Sequence, residues 1–150
     1  MARGILFRGK RVDNGEWVEG FYIEANHHWH NKGVHKEWIV TNTIQNGGWC
    51  NVASKYAVIP ETVGQYTGLV DKNGTKIFEG DIVKKSWIYR YKTGRGEEEK
   101  LNSFTGVVIF EAGQFGLSLN EGMDFDEFVG ECKHEQWTEV IGNIHEQGVQ

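Results

Sequence analysis

Basic and aromatic side chains alternate along residues 84–95. The candidate binding residues in this stretch are Lys84, Lys85, Trp87, Tyr89, Arg90 and Arg95, accompanied by Lys92 and Tyr91. Cations neutralise phosphates and aromatic rings stack on bases, so the pattern predicts contact with single-stranded nucleic acid. Three of the aromatic residues share one face of an extended strand, so a core or an oligomer interface is an alternative interpretation. The Glu97-Glu98-Glu99 run that follows would repel phosphate.

Four histidines lie within nine positions, at His27, His28, His30 and His35. Neutral imidazoles bind transition metals, so this cluster suggests a zinc or nickel site and a metal-dependent enzyme as one hypothesis. No cysteine or suitably spaced carboxylate completes a tetrahedral set, and no recognised ligand spacing is present. A polar, histidine-rich loop is therefore the favoured interpretation, and we expect no cofactor.

Two further patterns could carry chemistry. Cys50 follows Gly47-Gly48-Trp49 and would need a base within hydrogen-bond reach to act as a nucleophile. The acidic stretch Asp124 to Glu127 lacks most ligands of a Ca²⁺ loop, so a solvated surface is favoured. Walker A, GxGxxG, HExxH and GxSxG motifs are absent from the sequence. We therefore expect a protein that is not an enzyme.

Composition limits the classes of protein further. The 150 residues are 39% hydrophobic and 13% aromatic, enough for a globular core. The net charge of -5 excludes a wholly basic nucleic-acid binder, although residues 1–110 carry +3 and residues 111–150 carry -8. No run approaches 18 apolar residues, no secretory signal is recognised at the start, and the two cysteines form no CxxC. These features predict a cytoplasmic protein that does not contact membranes.

Turn signals separate short apolar runs and predict β-hairpins. They stand at Asp13-Asn14-Gly15, Lys72-Asn73-Gly74 and Ala112-Gly113-Gln114. Strands are expected over 80–91, where side chains alternate, and over 137–145, where Gly142 suggests a bulge. The abundance of glycine fits many tight turns, because glycine accepts a positive φ. The single proline fits a chain rich in strands, because proline cannot donate a backbone hydrogen bond to a neighbouring strand.

Helical signals are scarce in this sequence. Residues 60–66 predict one short turn with Pro60 near its start, and residues 124–129 a second short helix. Residues 25–36, 45–55 and 92–103 have the composition of loops. The prediction is a mainly β protein with short strands, little helix and SH3-like barrel character. It would form a single domain over 1–150, with two small sub-domains meeting near 55–80 as the alternative.

Several segments together resemble one protein family. They are Ile5 to Lys10, Gly15 to Gly20, Val58 to Leu69, Asp71 to Gly74, Ile77 to Val83, Gly106 to Phe110 and Glu139 to Glu146. This pattern resembles the YopX family of phage and prophage proteins. The similarity is interrupted over 25–55 and 84–103, the stretches that hold or adjoin the histidine, thiol and basic-aromatic candidates.

The resemblance implies a β-rich fold with SH3-like barrel character, a phage or prophage origin and assembly into oligomers. It supplies no active site. The resulting hypothesis is a non-enzymatic accessory protein that binds copies of itself and a host or phage macromolecule in the bacterial cytoplasm. Single-stranded nucleic-acid binding through 84–95 and a metal-dependent enzyme built on His27 to His35 are the alternatives.

Overall fold

The chain folds almost entirely as β-strands. A computed structural model describes residues 5–24, 37–41, 53–119, 122–127 and 135–146. Its strands are β1 (Phe7–Lys10), β2 (Trp17–Glu24), β3 (Glu37–Thr41), β4 (Ser54–Ala57), β5 (Gly64–Val70), β6 (Lys76–Phe78), β7 (Asp81–Thr93), β8 (Gly96–Glu111), β9 (Gln114–Leu119), β10 (Gly122–Glu127) and β11 (Gln136–Asn143). The helical content of the described ranges is one 3-10 turn, Pro60–Thr62, as the proline predicted. No helix within these ranges is long and apolar enough to cross a bilayer.

Two compact units divide the chain between Tyr66 and Thr67, within β5. The sheet of the first unit has the strand order β4-β3-β2-β1-β5, and the rest of β5 lies beside β6. The five-stranded sheet of the second unit has the order β10-β9-β8-β7-β11. The assigned pairs are antiparallel and both sheets are open, so the mainly β prediction is confirmed without a closed barrel. SH3-like character and the single domain stay predictions.

The core of the first unit lies on one face of its sheet. Ile39 and Val58 are almost fully buried there. β2 and β3 approach each other closely at Gly20, where an added Cβ would lie 2.2 Å from the carbonyl oxygen of Val40. Because no side chain fits in that space, Gly20 is required by packing of the backbone.

The core of the second unit is built from residues of β6, β7, β8 and β9. Ile77, Val83, Val108 and Leu117 are buried in one cluster, with half-buried Phe104, Phe115 and Val140 around it. Leu117 lies opposite Val108 in the β8–β9 ladder, and Val140 lies opposite Val83 in the β7–β11 ladder. The cluster therefore depends on the registers of both ladders.

The predicted hairpin turns are confirmed. Gly15, Gly74 and Gly113 each have a φ between 73° and 83°. Residues other than glycine rarely adopt this backbone conformation. The predicted strand over 80–91 is β7, and the predicted bulge near Gly142 is the register shift between Val140 and Gly142.

Two local predictions were wrong. Residues 124–127, expected to begin a short helix, belong to strand β10. Residues 92–103, expected to be a loop, continue β7 through Thr93, turn at Gly94 and Arg95, and form the first half of β8. The many charged residues suggested a solvated loop. In the structure, Glu97 and Glu99 lie opposite Lys92 and Arg90 across the β7–β8 ladder, and composition alone does not show such pairing.

Two buried carboxylates hold the turns of the second unit against its last strand. Asp81 accepts a hydrogen bond from the backbone N–H of Phe78 at 2.8 Å and another from the side-chain amide of Asn143 at 3.1 Å. Asp71 accepts from the N–H groups of Asn73, Thr75 and Val140 at 2.8, 2.9 and 3.1 Å. A buried carboxylate is stable only with such donors.

We predict that Asp81→Asn lowers the free energy of unfolding by about 1–3 kcal/mol. The amide NH₂ of the new side chain would face either the Phe78 N–H or the Asn143 amide, so one buried donor would lose its acceptor. Urea unfolding measures the change, with Asp13→Asn as control, since Asp13 is exposed and paired with Arg11. Equal losses in the two variants would contradict the assignment.

We also predict that Asp71 makes the fold sensitive to acid. Burial alone would raise the pKa of this carboxyl, but hydrogen bonds from Thr75, Val140 and Asn73 hold the pKa below its ordinary 3.8. Its contribution to stability is therefore complete above that value and is lost as the pH falls through the lower folded pKa. Protonated Asp71 resembles Asn, so the stability difference between the wild type and Asp71→Asn should shrink from about pH 5 to about pH 2. A difference independent of pH would contradict this.

Candidate functional site

The basic-aromatic stretch lies on a long two-stranded ribbon. β7 and β8 pair from Ile82 opposite Val107 to Thr93 opposite Gly96. Among the residues that the structure describes, β11 pairs with β7 as far as Trp87, and β9 pairs with β8 from Val107. Residues 88–101 therefore extend past the neighbouring strands, and we call them the β7–β8 ribbon. An isolated two-stranded hairpin is marginally stable, so side chains must reinforce the ribbon.

Carboxylates pair with two cations near the end of the ribbon. The Nε of Arg90 lies 2.7 Å from Oε1 of Glu99, and its Nη2 lies 3.1 Å from Oε1 of Glu135. The Nζ of Lys92 lies 4.0 Å from Oε1 of Glu97. Hydrogen bonds to Glu99 and Glu135 raise the pKa of Arg90. The acidic run thus pairs with Arg90 and Lys92, two of the cations that the sequence offered to phosphate.

In the aromatic row of the ribbon, the two tyrosines are more exposed than the tryptophan. Trp87 is half-buried and meets Phe104 edge to face, with ring centroids 5.8 Å apart. Tyr89 and Tyr91 stack with centroids 5.9 Å apart, and their exposed fractions are 48% and 37%. The Tyr91 hydroxyl donates to Glu98 at 3.0 Å. Trp87 therefore extends the core, and the two tyrosines form an exposed, ordered surface.

The remaining predicted cations do not gather at one place. Lys84 and Lys85 point to opposite faces of β7, Lys84 exposed and Lys85 half-buried. The Nζ of Lys85 lies 6.0 Å from the ring centroid of Phe104. Arg95 is exposed in the turn between the strands. Nucleic-acid contact through residues 84–95 stays a prediction.

The metal and thiol hypotheses fall on other parts of the chain. His27, His28, His30 and His35 lie outside the described residues, as does Cys50. Within the described ranges, no group of three or more His, Cys, Asp or Glu side chains is arranged to hold a metal ion. The metal hypothesis stays a prediction about the segment between β2 and β3.

A second surface was missed by the sequence reasoning. The face of the first sheet opposite its core carries cations packed on tryptophan rings. We call it the tryptophan face, and by register its residues are Arg8, Lys10, Trp17, Glu19, Phe21, Ile23, Trp38, Val40 and Lys55. The Cζ of Arg8 lies 4.5 Å from the Trp17 ring centroid, and the Nζ of Lys55 lies 3.9 Å from that of Trp38. This surface combines positive charge with exposed apolar groups.

Part of this surface was visible in the sequence. Trp17, Phe21 and Ile23 alternate along one strand, as do Trp38 and Val40 along another. The alternation predicts a shared face within each strand, but not which cations lie above the rings. Those come from β1 and β4, which only strand pairing places beside β2 and β3.

We predict that removing the paired cations of the ribbon leaves nucleic-acid affinity unchanged. Arg90→Gln and Lys92→Gln should each alter the binding of a labelled single-stranded oligonucleotide by less than about twofold, because carboxylates already occupy both charges. Fluorescence anisotropy at low salt measures the affinity. A tenfold loss in either variant would place phosphate contact on the ribbon.

Comparison with known proteins agrees with the sequence pattern. The structure of protein EF1440 from Enterococcus faecalis is similar at 20% sequence identity, covering 96% of this chain and 95% of that one with a TM-score of 0.44. No curated protein matches. The family model described as YopX protein matches residues 6–149. The chain therefore belongs to the YopX family.

Proposed function

We propose that this protein is a non-enzymatic phage or prophage accessory module that associates with copies of itself through the tyrosine side of the β7–β8 ribbon. The observation that carries the proposal is an ordered aromatic surface on a ribbon whose neighbouring charges are paired internally. Tyr89 and Tyr91 are stacked yet largely exposed. Tyrosine is enriched at protein interfaces because its ring is apolar and its hydroxyl is polar.

The charges beside the tyrosines suit a second copy of the same surface. Lys100 lies opposite Tyr89 in the ladder, and Glu98 lies opposite Tyr91, so all four side chains share one face. A two-fold rotation that reverses one ribbon on another would bring each Lys100 toward the partner's Glu98. The tyrosines would then meet between two pairs of opposite charge. Such self-complementarity is what a two-fold interface requires.

Membership of the YopX family supports the phage or prophage origin, and with it action in the cytoplasm of a bacterial host. The lack of catalytic motifs in the sequence supports a binding role over an enzymatic one. The ion pairs of Arg90 and Lys92 favour a protein partner over nucleic acid at the ribbon.

We predict that Tyr89→Ala combined with Tyr91→Ala weakens self-association at least about tenfold, because it removes the aromatic centre of the interface. Sedimentation equilibrium over a range of protein concentrations measures the association constant. The matched control is Leu101→Ala, since Leu101 is exposed on the opposite face of the same ribbon. Equal losses in both variants, or a wild type that stays monomeric, would overturn the proposal.

Charge reversal provides a second test on the same surface. Lys100→Glu and Glu98→Lys should each weaken association, and the double variant should recover it because opposite charges again face each other. Failure of the double variant to recover, with the fold intact by circular dichroism, would contradict the two-fold arrangement.

A further inference from the structure

We propose that Asn73 is a site of spontaneous deamidation whose product weakens the attachment of β11 in the second unit. The turn between β5 and β6, residues 71–75, contains the pair Asn73-Gly74. In such a pair the backbone nitrogen of the glycine can attack the side-chain amide carbon of the asparagine, because glycine has no side chain to obstruct the approach. The inference goes beyond self-association and uses none of the ribbon residues.

The reaction needs only water as a reactant. A base from the solvent removes the proton of the Gly74 backbone nitrogen, which attacks Cγ of Asn73 and expels ammonia. The product is a cyclic imide that joins the two residues. Water then adds to either carbonyl of the imide and opens it, which leaves aspartate or isoaspartate at position 73. The complete reaction consumes one water, releases one ammonia and converts a neutral side chain into a carboxylate.

Asn73 is accessible to this reaction in the folded protein. Asn73 and Gly74 are exposed, and a Cβ added to Gly74 would meet nothing within 4 Å. The backbone N–H of Asn73 donates to the Asp71 carboxylate, but its side chain makes no hydrogen bond to the residues that the structure describes. The side-chain amide can therefore reach the Gly74 nitrogen once the hydrogen bond from that N–H to the Asp71 carbonyl, 3.0 Å long, opens.

A second pair, Asn14-Gly15, provides the contrast. It is also exposed in a hairpin turn, and the Gly15 N–H also donates to a carbonyl, that of Arg11, at 3.0 Å. The Asn14 side chain, however, is held through both atoms of its amide. Its Oδ1 accepts from the Glu16 N–H at 3.0 Å, and its Nδ2 donates to Oε2 of Glu16 at 2.7 Å. These hydrogen bonds must break before the amide turns toward Gly15, so the fold protects Asn14.

The turn that carries Asn73 also holds β11 in place. Oδ2 of Asp71 accepts from the Val140 N–H at 3.1 Å. The Lys72 N–H donates to the Thr138 carbonyl at 2.9 Å. The Nζ of Lys72 lies 2.7 Å from a carboxylate oxygen of the residue between these two, at position 139. Consecutive residues of β11 are therefore bound by consecutive residues of the turn.

Isoaspartate at position 73 would lengthen the main chain inside this turn. The peptide bond then runs through the former side-chain carbon, which adds a methylene group between Asp71 and Thr75. The longer link displaces the Thr75 N–H from Oδ1 of Asp71, from which it now lies at 2.9 Å. The new carboxylate beside Asp71 acts in the same direction, because like charges repel. Since the other oxygen of Asp71 binds Val140, the modification should loosen β11.

The test compares the folded with the unfolded chain. The full chain is incubated at mildly alkaline pH, with and without concentrated urea, and peptide mapping by mass spectrometry measures the conversion at each Asn-Gly pair. An isoaspartyl methyltransferase labels the isoaspartate product. Asn46-Gly47 lies outside the described residues and is read from a separate peptide. Asn73→Gln is the test variant, and Asn14→Gln, also in an exposed turn, is its matched control.

We expect the folded wild type to be converted at position 73 at least about fivefold faster than at Asn14, since reaction at Asn14 must first break side-chain hydrogen bonds. In urea the two rates should agree within about twofold, because the contacts that distinguish the sites are lost. Asn73→Gln should abolish conversion at position 73 and leave the rate at Asn14 unchanged. Asn14→Gln should leave conversion at position 73 at its wild-type rate.

The converted protein carries an additional negative charge, so ion exchange separates it from the starting material. The midpoint of its urea unfolding should be lower by at least about 0.5 M, through the loss of buried hydrogen bonds. Hydrogen exchange at the Val140 amide should be faster, and exchange at Ile39, buried in the first unit, should be unchanged.

Several results would overturn the inference. Equal rates at Asn73 and Asn14 in the folded protein would do so, as would a difference that persists in urea, because the fold would then not be its cause. Conversion at position 73 in urea alone would mean that the turn protects Asn73. An unchanged unfolding midpoint and unchanged exchange at Val140 after conversion would contradict the effect on β11.

Discussion

The Asp81 carboxylate sets the arrangement on which the second unit depends. It lies at the start of β7 and is almost fully buried, so its charge must be matched by donors. The Phe78 N–H supplies one from the preceding turn, and the Asn143 amide supplies another from the end of β11. Gly80, with a φ of 84°, allows the chain to turn between β6 and β7, and its carbonyl accepts from the N–H of Ile144. Asp71 has a similar role in the turn between β5 and β6, where its carboxylate accepts a hydrogen bond from the N–H of Val140 in β11. These contacts hold β11 in register with β7, which places Val140 opposite Val83 in the core.

The long ribbon forms where β7 and β8 continue pairing past the described ends of β9 and β11, and both faces of this outer part meet solvent. The Glu97-Glu98-Glu99 run then gains a structural role, because each carboxylate lies opposite a group on β7 that it can bind. Arg90 pairs with Glu99, Tyr91 with Glu98 and Lys92 with Glu97. Exposed pairs of this kind each contribute little, but a row of them adds to the ladder of an otherwise marginal hairpin.

The ribbon and the tryptophan face both combine cations with aromatic rings, in different arrangements. On the ribbon, Arg90 and Lys92 pair with carboxylates, and the stacked tyrosines lie beside these neutralised charges. On the tryptophan face, Arg8 and Lys10 lie near the Trp17 ring, and Lys55 lies over the Trp38 ring. The segments that carry the family resemblance contain Asp71, Asp81 and Asn143. The hydrogen bonds of these three residues stabilise the fold.

Local signals determined much of this fold. Hairpin turns at Gly15, Gly74 and Gly113 were predictable because a positive φ favours glycine, and strand alternation revealed which residues share a face. The short turn at Pro60, the bulge at Gly142 and membership of the family were also evident in the sequence. Tertiary structure alone decided which charges meet, since Arg90 and Glu135 are 45 positions apart. It also placed Lys55 over Trp38 through pairing of separate strands, and it made the end of β7, a turn and the first half of β8 from residues 92–103, whose composition indicated a loop. Electrostatic and cation–π energies depend on distances across strands, and periodicity within one strand does not contain them.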